Sequence, residues 1–194
     1  MNTTSEHFVW PARLLHWLMA AMVLAMLFIG AGMVSTVDAK HDWLLAIHKP
    51  LGIGILLLVI VRIVVRLRHR PPALPADLPA PMKLAAHASH WLLYALLLAM
   101  PLIGWAMLSA GGYPVMLGSS LRLPAILPFN PALFAWLREA HRYLAYLLFL
   151  TFLAHLGAAL YHGLIRRDSV LPSMLRGERH SASSAATLPE EHAE

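Results

Sequence analysis

The stretch REAHRYLAYLLFLTFLAHLGAALYH, residues 138–162, decides how this chain is read. It is apolar enough and long enough for a membrane span, which needs about 20 residues. Yet it holds His141, His155 and His162. An ionisable side chain at bilayer depth is costly, so a histidine there marks function by default. His141 and His155 stand fourteen positions apart, which at about 100° per residue falls roughly 40° short of four turns. Both project from one helix face, separated along the axis by roughly 21 Å. The spacing predicts two centres stacked across a bilayer, one near each leaflet.

Composition agrees with a membrane setting. Of 194 residues 59% are hydrophobic and only 13% charged, where soluble domains carry about a quarter charged. Cysteine is absent, which removes disulfides, thiolate metal sites, iron–sulfur clusters and thioether-attached haem together. Any metal must be held by nitrogen or oxygen, and twelve histidines are present. The net charge of +5 does not point to nucleic acid, because the basic residues gather at the ends of apolar runs, where they orient a chain in a membrane.

Four apolar runs, about 10–34, 43–67, 84–110 and 138–165, predict an all-α integral membrane protein built as a four-helix transmembrane bundle. The first run lacks a leading basic region and a small-residue cleavage site and reads as an uncleaved span. Pro101 is tolerable within lipid and predicts a kink in the third helix. Arg66, Arg68, Arg70 and Lys83 flank the second connection, and Arg166, Arg167, Arg176 and Arg179 follow the fourth run. Positive-inside therefore places both termini in the cytoplasm. The connection 111–137 then faces outward, with FNPALFAWL as a short interfacial helix. Residues 1–175 read as one four-span domain, and 176–194, rich in Ser, Ala and Glu, as a disordered tail.

Six-coordinate haem iron wants a second axial ligand for each histidine of the fourth helix. Matching depths pairs His141 with His48 near the outer leaflet, and His155 with His16 near the inner one. Such bis-histidine iron suits electron transfer rather than oxygen binding. His87, three positions from His90 at the start of the third run, could replace His16 as inner ligand. Small residues beside the ligands (Gly52, Gly54, Gly157) would leave room for a flat macrocycle, or simply let helices pack closely. His7, His69, His180 and His192 lie outside the runs and read as solvated.

With RLLHWLM, AIHKPLGI, AAHASHWLLYALL, EAHRYLAY and LAHLGAALYHGLIRRDSVL in view, the chain resembles the bacterial cytochrome b561 family over residues 8–176. Among its members the four-helix superoxide oxidases, which pass electrons from superoxide to ubiquinone, are most alike. The resemblance implies two b haems, held by His16 with His155 and by His48 with His141, in a bacterial inner membrane. It implies ubiquinone as acceptor, superoxide or another periplasmic donor, and a monomer or weak homo-oligomer.

On that expectation, Lys49, Arg142, Arg138 and Arg122 form a cationic funnel for a small anion at the outer centre, or pair with haem propionates or lipid phosphates. His162, His87 and His90 lie at the cytoplasmic level and supply protons or hydrogen bonds to a quinone; the competing reading of His162 is an interfacial residue. Arg13 and Arg62 serve inner-haem propionates or anchor the helices. Two other functions compete with the enzyme. One is a passive cytochrome subunit linking the quinone pool to a dehydrogenase, and the other a haem-free transporter with proton-relay histidines.

Overall fold

The computed structural model describes residues 8–69, 72–117 and 121–175. The expected tail, His7, His180 and His192 lie outside them. Four long helices dominate: α1 Trp10–Ser35, α2 Ala39–Arg68, α3 Ala80–Ala110 and α4 Pro131–Leu160. Each is long and apolar enough to cross a membrane. Their surfaces confirm the solvent they suit, since Phe28 (72% exposed) and Leu150 (62% exposed) stand out from the helices with no protein over them. Burying such side chains in lipid rather than water removes the hydrophobic penalty of leaving them uncovered.

Local sequence sets the helix ends. Asp38 caps α2 by accepting the Lys40 amide at 2.9 Å. Prolines stand in the first turns of α1, α3 and α4, where a missing N–H costs nothing. Asn130 caps α4 by accepting the Leu133 amide at 3.0 Å, so FNPALFAWL is not a separate interfacial helix: its last seven residues are the opening turns of α4, which begins at Pro131 rather than near Arg138. The helix α3 runs unbroken through Pro101, as α2 does through Pro50.

The rest of the connection between α3 and α4 holds a short antiparallel pair, β1 Val115–Leu117 and β2 Leu121–Leu123, with Met116 opposite Arg122. Trp105 Nε1 donates to the Pro124 carbonyl (2.9 Å), and the Ile126 amide donates to Ser109 Oγ (3.2 Å). These bonds fold the connection down on the end of α3. We call this end of the bundle the hairpin end, and the opposite one, where α1 starts and α4 finishes, the terminal end.

Helix α1 packs on α2, α2 on α3 and α3 on α4. The tightest packing lies toward the terminal end, where Met19, Leu56 and the fully buried Val59 meet Tyr94, Leu97 and Leu98. Among the described residues, α4 makes far fewer close backbone approaches to α1 or α2. A wider interval is left there.

Past Leu160 the chain continues as one π-helical stretch, Tyr161–Arg166, then turns through Arg167 in the left-handed region (φ 54°) into α5, Val170–Leu175. Gly163 permits this, because a Cβ there would collide with the Leu171 side chain. The turn is closed by Asp168, whose Oδ2 accepts from His162 Nδ1 (2.6 Å) and Arg166 Nε (3.1 Å) while Oδ1 accepts the Val170 amide (3.1 Å). Arg166 also reaches Asp77 at 2.5 Å, tying the turn to the α2–α3 connection. Trp17 Nε1 donates to the Met174 carbonyl (3.1 Å) and ties α5 to α1.

Partial burial alone would raise the Asp168 carboxyl, but the hydrogen bonds from His162, Val170 and Arg166 win and hold it below the ordinary carboxylate range. A carboxylate favoured by the fold adds stability that is present above the unfolded-state value of about 3.9 and is lost as pH falls. Asp168→Asn should weaken the turn by about 1.5–3 kcal/mol, the cost of hydrogen bonds to a charged group. Amide exchange across residues 161–170 should speed up in that variant at neutral pH, and in the parent chain only as the medium is taken below about pH 4.

Candidate functional site

Each long helix carries a pair of residues fourteen positions apart: His16 and Gly30 on α1, His48 and Arg62 on α2, His90 and Gly104 on α3, His141 and His155 on α4. Fourteen residues bring a helix back to nearly the same face roughly 21 Å along. Because neighbouring helices run in opposite directions, the pairs assemble into two layers. The layer toward the terminal end contains His16, Arg62, His90 and His155, and the layer toward the hairpin end contains Gly30, His48, Gly104 and His141.

Within each layer a histidine of α4 faces a histidine of another helix. The His16 and His155 ring centres are 6.2 Å apart, and those of His48 and His141 are also 6.2 Å apart, with rings tilted by 71° and 65°. Two imidazoles bonded to opposite sides of one metal ion at about 2.0–2.1 Å place their ring centres roughly 6 Å apart. Both pairs fit that separation. In the hairpin-end layer, His48 Nδ1 and His141 Nδ1 are buried and, among the described residues, make no hydrogen bond of good geometry, although the Met100 backbone stands close to His141.

The glycines of that layer differ. A Cβ on Gly104 would press on the His141 ring at 3.3 Å, so glycine lets α3 lie against that imidazole. Around Gly30, half-buried, nothing lies within 4 Å of where a Cβ would be. Gly52 and Gly54 are not open in this way. The space beside them is taken by the methyls of Met26 and Met22, which is helix packing. Gly157 is exposed and faces open space.

The terminal-end layer holds a third imidazole. His90 lies 5.2 Å from His155, ring centre to ring centre. His87, the alternative inner ligand from the sequence, is instead exposed, with Nδ1 against the Lys83 carbonyl at 2.7 Å. The α3 histidine that reaches His155 is the other of the two. Among the described residues no group of three or more His, Asp or Glu side chains closes on a common metal position. What each layer does offer is one pair of facing imidazoles.

The remaining expected residues are dispersed. His87, His90 and His162 do not form one cluster, since His162 is buried in the π turn against Asp168. Arg142 is exposed and turned to Glu139 (2.5 Å) and the Tyr143 hydroxyl (3.3 Å). Its charge is largely cancelled, which the sequence reading overlooked even though Glu139 stands in the same quoted stretch. Arg138 and Arg122 are exposed, Lys49 is half-buried beside His48, and Arg13 is half-buried on α1. Arg62, half-buried in the inner layer, donates from Nε to the Tyr94 hydroxyl at 3.1 Å. Arg62 and His90 were both named from the sequence; what the fourteen-residue spacing on all four helices adds is that they share one layer with His16 and His155.

The profile described as prokaryotic cytochrome b561 matches residues 7–177. The chain is 34% identical over 141 residues to the "Probable superoxide oxidase CybB" of Yersinia pestis, covering 72% of this chain and 78% of that protein. It is 31% identical over 177 residues to "Cytochrome b561 homolog 2" of Escherichia coli strain K12, covering 90% of this chain and 94% of that one. "Cytochrome b561 homolog 1" of the same strain is 31% identical over 129 residues, 66% of this chain and 72% of that one. With four membrane-length helices and this match along nearly its whole length, the chain belongs to the prokaryotic cytochrome b561 family, multi-pass membrane proteins that bind b haem and transfer electrons.

Proposed function

We propose that the chain is a di-haem superoxide:ubiquinone oxidoreductase of the bacterial inner membrane, with both termini in the cytoplasm. The observation that carries this reading is the pair of 6.2 Å histidine–histidine separations stacked along α4. His48 and His141 would hold one b haem toward the periplasm, and His16 and His155 the other toward the cytoplasm. Haem iron with two imidazole ligands supplies reversible one-electron transfer. The overall reaction balances as two superoxide anions plus one ubiquinone and two protons giving two O2 and one ubiquinol.

The chain's own residues set the terms of that reaction. The four helices fix both sites at a constant separation in a low-dielectric interior. At the periplasmic end, Lys49 beside His48, with Arg138 and Arg122, gives a positive field that concentrates a small anion. Arg142 adds little, because Glu139 already balances it. At the cytoplasmic end His162 is the group fitted to hand a proton to a quinone. Its Nδ1 is held by Asp168 (2.6 Å), and a carboxylate there orients the ring. The printed name of the Yersinia pestis relative supports superoxide as donor, while the names of the other two relatives are equally compatible with a passive electron conduit.

The deciding experiment mixes purified protein with superoxide and ubiquinone while the haem absorption bands are followed. Rapid haem reduction, then reoxidation with ubiquinol appearing, is the expected outcome. Haem reduction only through a co-purifying dehydrogenase would establish the conduit instead. Lys49→Gln should slow the superoxide-driven step by about tenfold at low salt and less at high salt, because screening removes what the lysine contributed. Arg142→Gln should change it less than twofold. His162→Leu, with both haems retained, should slow ubiquinol formation while leaving haem reduction by superoxide intact. Normal ubiquinol formation in that variant would remove His162 from the mechanism.

A further inference from the structure

We infer that Arg62 is a fixed cation built into the inner layer, facing an anionic group of the inner haem, and that it makes this haem the more easily reduced of the two. The inference rests on the two-haem reading above and adds to it a cause for the direction of electron flow.

An arginine in the run LLLVIVRIVVRLR stands where a charge is expensive unless something answers it. Arg62 takes the inner-layer position fourteen residues from His48, and its charge is close enough to act on His16, His90 and His155. Among the described residues no carboxylate pairs with it. The guanidinium is not free to swing toward water. Nε is engaged by the Tyr94 hydroxyl at 3.1 Å, and Arg66 lies over the same tyrosine ring at 5.5 Å, on the side of the terminal end. Phe8 and Met174 line the same cleft. Yet Arg62 Nη1 is buried and has no hydrogen-bond partner among the described residues.

A buried guanidinium N–H on a residue of the inner-histidine layer, unpaired among the described residues, calls for an oxyanion. A haem carboxylate and a lipid phosphate share that chemistry. Only the first keeps the anion and the cation as permanent parts of the inner centre. The outer layer has glycine at the corresponding positions of α1 and α3, and its nearby Arg142 is spent on Glu139. Lys49, half-buried beside His48, is the outer layer's cation, but what sets Arg62 apart is a guanidinium nitrogen, Nη1, buried without a partner among the described residues. Reduction adds an electron, and a neighbouring cation in a low-dielectric interior stabilises the state with the extra electron. An electron arriving from the periplasmic side then runs downhill toward the cytoplasmic side.

The test is a redox titration of the two haems in purified protein, each assigned by which spectrum disappears in His48→Ala or His16→Ala. In the parent chain the inner haem should have the higher potential. Arg62→Gln should move the inner potential negative and leave the outer one in place, whereas Arg62→Lys should preserve the original order. No shift in Arg62→Gln, or an equal shift of both haems, would overturn the inference. If Arg62→Gln fails to retain the inner haem, Tyr94→Phe decides with Arg62→Lys. A smaller negative shift of the inner haem alone in Tyr94→Phe, with the order kept in Arg62→Lys, supports the role, and any other pattern refutes it. Repeating the titration of the parent chain in bilayers with and without phosphate-bearing headgroups separates the two oxyanions. A potential that follows the lipid assigns Arg62 to the membrane and sinks the proposal. Parent protein with fewer than two haems would instead strike the proposed function itself.

Discussion

The structure depends on holding imidazoles from different helices a fixed distance apart, 6.2 Å between ring centres in both layers. Close helix packing would abolish that distance, and loose packing would let it vary. The bundle resolves the conflict by unequal packing. Helices α1, α2 and α3 interlock around Val59, Leu56, Met19 and Tyr94, while α4 stands off from α1 and α2 and meets them through His155 and His141. In lipid, apolar burial between helices contributes little, since hydrocarbon tails already cover what would otherwise face water. Whatever bridges each imidazole pair is then part of what holds α4 in position.

Both ends of α4 are secured by polar bonds that the membrane interior lacks. Asn130 caps its start, and the bonds of Trp105 and Ser109 fasten the preceding connection to α3. At its other end the π turn draws His162, Arg166 and Asp168 together, and Asp77 joins them from the α2–α3 connection. An arrangement fixed at both ends keeps the two histidines of α4 at constant depth, and electron transfer between fixed sites demands that constancy. The same turn places a carboxylate-bound imidazole at the terminal end of the bundle.

Much of this could be read from the chain before any coordinates. Apolar length gives the four helices, and the fourteen-residue interval on α4 gives two layers, because helical geometry at long range depends only on residue count. The partners His16 and His48 follow from depth. Other features were hidden for physical reasons. Helix starts at Ala39, Ala80 and Pro131 lie outside the most apolar windows, since capping and proline set them rather than hydropathy. His87 and His90 are three residues apart, nearly one turn, so depth alone could not say which of them faces the bundle. The pairing of Arg142 with Glu139, and the fold of residues 161–175 around Asp168, depend on contacts that no periodicity announces. Gly52 and Gly54 were read as room for a cofactor or as packing, and Met22 and Met26 decide for packing.

The central claim is that two imidazole pairs, stacked along one helix, each grip a haem. Counting haem per polypeptide in purified protein tests it most directly, together with low-temperature electron paramagnetic resonance of the oxidised form. The account predicts two low-spin haems per chain, with one lost in His155→Ala and the other in His141→Ala. A single haem, none, or both retained in either variant would contradict it.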